Sequence, residues 1–175
     1  MNPLPPRSLF RHCPRCAAPL PTPSDDPRLH CEACGLVYYL NSAVAVAVFA
    51  ARKDGRVVFL RRSRPPAMGR WAPPGGFIDI GEAAEAAAAR ELREETGLAI
   101  DSLRFLGSWP NRYEFKEVVY PVLDLFFTAR AIDPDRARPI EEAEELAWLH
   151  PLDVDPASMA FPSMTSALIQ LQQQP

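Results

Sequence analysis

Gly76-Phe77-Ile78-Asp79-Ile80-Gly81-Glu82, seven further residues, and then Arg90-Glu91-Leu92-Arg93-Glu94-Glu95-Thr96-Gly97-Leu98 form the stretch on which the reading of this chain turns. The alanine-rich segment 83–89 has the highest helix propensity in the chain, and Gly97 is a good stop residue. The pattern predicts a helix over 82–96, begun either by a capping box between Asp79 and Glu82 or at Gly81. On that helix Glu91, Glu94 and Glu95 stand at i, i+3 and i+4 and share one face. Like charges this close weaken a helix by themselves. A divalent cation resolves the repulsion, and an all-oxygen donor set suits Mg²⁺ or Mn²⁺. Arg90, one position from that face, can brace Glu94 or Glu82 and fix a carboxylate's orientation. Gly75-Gly76 lets the backbone come close to a metal or a phosphate. Such a set fits phosphoryl chemistry, in which cations neutralise a diphosphate while a bound water attacks it. As a bare charge run, the same residues would be a solvated acidic face.

Outward from this helix the chain reads as alternating strands. Before it, Ala43-Val44-Ala45-Val46-Ala47-Val48-Phe49 alternates small and β-branched residues, as a strand buried on both faces does. Lys53-Asp54-Gly55 reads as a hairpin turn, and 56–61 as the returning strand. The span 64–81, rich in Pro and Gly, reads as loop. After the helix, strands are expected at 103–108, 118–129 and 146–149, with a last helix near 163–172. The resulting order, β-β-loop-α-β-β-β-α, is that of an α/β protein with a mixed sheet flanked by helices.

The stretch from Gly76 to Leu98 is similar to the Nudix box, Gly-x5-Glu-x7-Arg-Glu-U-x-Glu-Glu-x-Gly-U, where U is a bulky aliphatic residue. Gly76, Glu82, Arg90, Glu91, Leu92, Glu94, Glu95, Gly97 and Leu98 all match it. The flanking Leu60-Arg61-Arg62 and 69–76 resemble the family's approach to its box, and the resemblance covers roughly 42–172. It implies an α/β/α sandwich that hydrolyses a nucleoside diphosphate linked to another moiety. It implies that Glu91, Glu94 and Glu95 bind the divalent metals, with the Gly76 carbonyl as a further ligand, while Arg90 and Glu82 hold loop and helix in place. The general base is either the carboxylate matching Glu91 or one from a later loop. Here that loop offers Glu141, Glu142, Glu144 and Glu145, with Glu142 first by its distance before Trp148.

All four cysteines lie before residue 35, as Cys13-Pro14-Arg15-Cys16 and Cys31-Glu32-Ala33-Cys34. Two CxxC pairs suit a tetrahedral Zn²⁺ whose four positions are filled, hence a structural site. His12 and His30 are read as bystanders. The pattern resembles the zinc ribbon that precedes the catalytic domain in NADH pyrophosphatases and in some ADP-ribose or FAD pyrophosphatases of the family. The domain reading is therefore a ribbon over 1–40 and a Nudix domain over 41–175.

With a formal net charge of −3, the chain has no basic field to attract nucleic acid. Its longest apolar run, Ala43 to Ala51, is too short to cross a bilayer. The first residues lack the apolar stretch of a secretory signal, so a cytoplasmic location is expected. The partner expected is a small nucleotide, and a homodimer stays open.

The substrate is read less far. NADH pyrophosphatases of the family carry Ser-Gln-Pro-Trp-Pro-Phe-Pro-x-Ser after the box, where this chain has Gly107-Ser108-Trp109-Pro110-Asn111-Arg112-Tyr113. Pro110 also sits 12 residues beyond Leu98, short of the roughly 16 seen in the ADP-ribose subclass. Tyr113, Phe115 or Trp109 can stack on a base, and Arg62 or Arg112 can meet phosphate. The alternative to an enzyme is a catalytically silent Nudix-fold sensor that docks a partner through its ribbon. The full set of box carboxylates favours the enzyme.

Overall fold

The computed structural model describes residues 5–21, 28–140 and 143–174. Near the N-terminus, β1 (Arg28–His30) and β2 (Val37–Tyr39) pair antiparallel, Leu29 opposite Tyr38. One CxxC turn precedes this pair and the other joins its two strands, both with the same backbone pattern. In each, the residue four beyond the first cysteine returns its amide to that cysteine's carbonyl, Ala17 to Cys13 at 2.9 Å and Gly35 to Cys31 at 2.8 Å. Both residues take positive φ, 60° and 70°, which glycine adopts freely and alanine adopts at a cost.

The alternating valines form β3 (Ala43–Ala51), and both of its faces are covered. Val46, Val48 and Ala50 enter one core, and Ala47 and Phe49 enter the other. Gly55, at φ 82°, makes the turn into β4 (Val57–Arg62), with the Arg52 amide bonded to the Arg56 carbonyl at 2.8 Å.

The span read as loop contains two short strands, β5 (Trp71–Ala72) and β6 (Gly75–Phe77). β5 pairs with β4, and β6 lies antiparallel to β3 with Gly75 opposite Ala47. A backbone without side chains can lie this close to β3, so the glycines that signal a loop instead permit pairing here.

The box helix, α1, runs Ala84–Thr96 and stops at Gly97 with φ 73°. It starts two residues later than expected because Glu82 turns back, accepting the Asp79 amide at 3.1 Å, and extended Ala83 becomes the N-cap.

Of the next two strands, β7 (Ala99–Phe115) is much longer than the expected 103–108, while β8 (Val118–Ile132) starts where expected and extends three residues past 129. They form a hairpin whose turn places Lys116 at φ 55°. β7 tolerates Pro110 because it is the edge strand, where a missing N–H costs no ladder bond. β9 begins at Ala143 rather than 146, so Glu144 and Glu145 belong to a strand paired with β4. α2 (Pro162–Gln172) follows, with proline in its first turn.

Among the described residues seven strands therefore form one sheet, ordered β5-β4-β3-β8-β7, with β6 on β3 and β9 on β4. α1 packs Ala87, Ala88 and Leu92 against one face, over Val46, Val48, Val58 and Phe127. α2 packs Ala167 and Leu168 against the other, over Phe49, Phe59 and Phe126. This is the expected α/β/α sandwich. Beneath the start of α2, buried Asp124 accepts hydrogen bonds from Asn111 at 2.8 Å and from Ser163. Burial raises its pKa against the effect of both donors.

The chain divides into two compact units, Met1–Ala43 with Arg112–Val122, and Val44–Asn111 with Leu123–Pro175. The tip of the β7–β8 hairpin thus goes with the cysteine-bearing segment, and the sandwich with its box helix makes up the second unit. Among the described residues no helix is long and apolar enough to cross a membrane.

Candidate active site and cysteine cage

The carboxylates of α1 are organised by one arginine. Arg90 donates through Nε and Nη2 to both oxygens of Glu82, at 2.9 and 2.8 Å. Its Nη1 reaches Glu91 at 2.6 Å and Glu94 at 3.1 Å, and Nη2 also meets the Phe77 carbonyl at 3.1 Å. The loop, the helix start and two of the face carboxylates are thereby tied to a single planar cation. The hydrogen bond from Arg90 brings the Glu82 pKa down to about 2, and the Glu82 contact in turn raises that of Arg90. Glu95 is placed separately, accepting the Gly75 amide at 2.8 Å.

The two glycines explain how β6 fits closely against β3 on one side and α1 on the other. A Cβ on Gly76 would lie 2.6 Å from the Glu91 carboxyl carbon, and one on Gly75 would lie 2.0 Å from the Val46 carbonyl oxygen. Gly76, Glu82, Arg90, Glu91, Glu94 and Glu95 therefore sit together at the junction of β6 with α1. Of the three face carboxylates, Glu91 and Glu94 accept from Arg90 and Glu95 accepts from the Gly75 amide.

Beside Glu95 lies a small cleft of about 50 Å³, bounded also by Arg61, Arg62, Gly75, Ala143 and Met164. Arg62 thus lines the same space as a face carboxylate. Arg112 and Tyr113 are on β7 in the other unit. Trp109 packs edge-on against Phe126, centroids 5.6 Å apart, as part of the α2-side core. Glu141 and Glu142 lie outside the described residues. Phe77, through its carbonyl, and Gly75, through its amide, are site groups that side-chain chemistry cannot flag, because only backbone atoms act.

The four cysteines converge, with all sulfurs within 4.8 Å of one another. Cys13 and Cys34 are 3.7 Å apart and Cys16 and Cys31 3.6 Å, and none of the four is in a disulfide. A tetrahedron with metal–sulfur bonds of about 2.3 Å has edges of about 3.8 Å, so the cage fits a tetrahedral metal. Burial opposes ionisation of Cys13, but amides of Cys16 and Arg15 and neighbouring thiols outweigh it and bring its pKa to about 6. For Cys16 the Ala18 backbone favours the thiolate, yet Cys34, burial and the other thiols push it up to about 12. Four sulfurs this close cannot all ionise without repulsion, and a bound cation removes that repulsion. His12 and His30 are outside the quartet.

A NUDIX domain model matches residues 41–168. The chain belongs to the Nudix family. Among curated relatives, an NAD-capped RNA hydrolase NudC of Chromobacterium violaceum is 36% identical over 148 residues, 83% of this chain and 51% of that protein. An ADP-ribose pyrophosphatase of Methanocaldococcus jannaschii is 42% identical over 76 residues, 42% of this chain and 44% of that protein. The chain spans about half the length of the curated relatives it matches. Among solved structures, a NUDIX hydrolase from Nitrosomonas europaea superposes with a TM-score of 0.72 at 23% identity, covering 94% of this chain and 92% of that one. This likeness concerns the fold. The Nudix sandwich accounts for the position of the box at the β6–α1 junction.

Proposed function

We propose that this chain is a divalent-metal-dependent hydrolase that cuts the pyrophosphate bond of a nucleoside diphosphate linked to a second group. The observation that carries the reading is the Arg90-centred carboxylate set on α1, packed against side-chain-free backbone at Gly75-Gly76. Glu91, Glu94 and Glu95, with the Gly76 carbonyl, would hold Mg²⁺ or Mn²⁺, which supplies charge neutralisation and an acidified water when bound. Arg90 and Glu82 fix that face. Arg62 meets a substrate phosphate, Arg112 and Tyr113 serve as outlying substrate contacts, and Glu142 acts as general base. The four cysteines hold a structural Zn²⁺ in a ribbon domain over 1–40 that precedes a catalytic domain over 41–175, in a cytoplasmic protein.

The substrate class is of the ADP-ribose, FAD, NADH or sugar-nucleotide type. The names of the relatives add an NAD-linked 5′ end of RNA to that set, in which the scissile bond is the same dinucleotide pyrophosphate. Purified protein is assayed by chromatography against each compound with Mg²⁺ or Mn²⁺, with Glu94→Gln in parallel. Turnover of at least one compound, reduced about a hundredfold or more in the variant, is expected. Binding without turnover across the panel would sink the enzyme reading.

A further inference from the structure

The cleft beside Glu95 has a second cation in its wall. Arg61 stands opposite Trp71 of β5 on one side and Glu145 of β9 on the other. Directly paired residues project to the same face of a sheet, so the three form a row across three strands. Their contacts follow that row. The Arg61 guanidinium lies 4.1 Å from the Trp71 ring centroid, and its Nε donates to Glu145 at 2.7 Å. Its Nη1 donates to the Gly69 carbonyl at 3.0 Å. Arg62, beyond a bulge in the register, uses its Nε on the Pro66 carbonyl at 2.9 Å and packs 5.4 Å from the Phe161 ring.

Arg61 is therefore held in one plane before any ligand arrives, with one side against an indole and the other edge toward the cleft. Its side chain is 35% exposed and that of Glu145 is 50% exposed. A pair this exposed, joined by one bond rather than a bidentate fork, exchanges readily. A phosphate offers the oxygen geometry that a guanidinium fork matches.

We propose that Arg61, stacked on Trp71, is a specificity-determining cation that takes a phosphate oxygen of a nucleoside diphosphate bound at Glu95, and that Glu145 is the resting counter-ion this phosphate displaces. The location of the diphosphate rests on the hydrolase reading above. Trp71 keeps the guanidinium in plane during the exchange, and Glu145, once displaced, faces solvent.

The test is calorimetric titration of the full chain with ADP in the presence of Mg²⁺, beside thermal unfolding of each variant. Arg61→Gln weakens ADP binding about tenfold or more, and Arg61→Lys, which keeps charge but loses the fork, weakens it less. Glu145→Gln tightens binding by roughly two- to fivefold, because the competing charge is gone. Unchanged affinity in a folded Arg61→Gln or Arg61→Lys protein, weaker binding in Glu145→Gln, or no ADP binding by wild type would each overturn the proposal. A protein that binds ADP through Arg61 yet hydrolyses no diphosphate ester would sink the hydrolase reading alone.

Discussion

Gly75 and Gly76 are neighbours in sequence, yet alanine at the two positions does different damage. A Cβ on Gly75 meets the backbone of β3, 2.0 Å from the Val46 oxygen and 2.6 Å from the Ala47 Cα. Ordinary contact begins at 3.4 Å, so β3 and β6 must part by about 1.4 Å. That motion stretches the flanking bonds from the Val48 amide to Pro74, 2.9 Å, and from the Ile78 amide to Val44, 3.0 Å. Two strained ladder bonds plus lost packing put the cost of Gly75→Ala at about 3–4 kcal/mol.

At Gly76 the same atom meets only the end of the Glu91 side chain, 2.6 Å from its carboxyl carbon. The carboxylate must swing by about 0.8 Å, and the fold must lose about 1 kcal/mol or less, a melting shift of about 2–4 °C. If Glu91 holds the metal, a displacement near 1 Å lowers turnover about a hundredfold. Melting and kcat, measured on both variants, separate the two effects. A Gly76→Ala protein with wild-type turnover, or one that melts as low as Gly75→Ala, would refute the reasoning.

Two further outcomes are expected. Glu82 has its folded-state pKa depressed from 4.5 to about 2 by Arg90, so the stability it contributes is full above about pH 4.5 and is lost as pH falls toward 2. The melting difference between wild type and Glu82→Gln therefore shrinks across that window, and a constant difference from pH 7 to pH 2 would contradict it. In the cysteine turns, Ala17→Gly relieves a left-handed alanine and stabilises by about 0.5–1 kcal/mol, while Gly35→Ala costs about 1 kcal/mol. Opposite shifts in the chelator concentration that strips Zn²⁺ from protein loaded with it are the readout, and equal or absent shifts would count against the duplicated-turn geometry.

The helix and its acidic face were legible because 3.6-residue periodicity and a glycine stop act within a few residues. Glu91, Glu94 and Glu95 share a face by spacing alone. Strands β5 and β6 were not legible, since each is two or three residues long and their Pro and Gly neighbours signal loop. The length of β7 was hidden by Pro110, which reads as a break until the strand is known to be an edge. The Arg61–Glu145 pair joins residues 84 positions apart, and the Asp124–Ser163 bond spans 39. Neither separation follows from a local pattern, because strand order and register set them. Arg62 and Arg61 look equivalent in sequence, and it is the bulge between them that gives them different partners.

The hairpin shared between the two units has a consequence for how the polypeptide is made. The last cysteine is residue 34, but the N-terminal unit is complete only when Val122 has been synthesised, 88 residues later. At about 5–20 residues per second that is roughly 4–18 s on the ribosome. During that interval the N-terminal unit lacks its hairpin segments, while all four sulfur ligands are already available. Capture of a metal ion is then the step that can give the emerging segment a shape and keep its thiols from wandering oxidation, before the hairpin arrives to finish it.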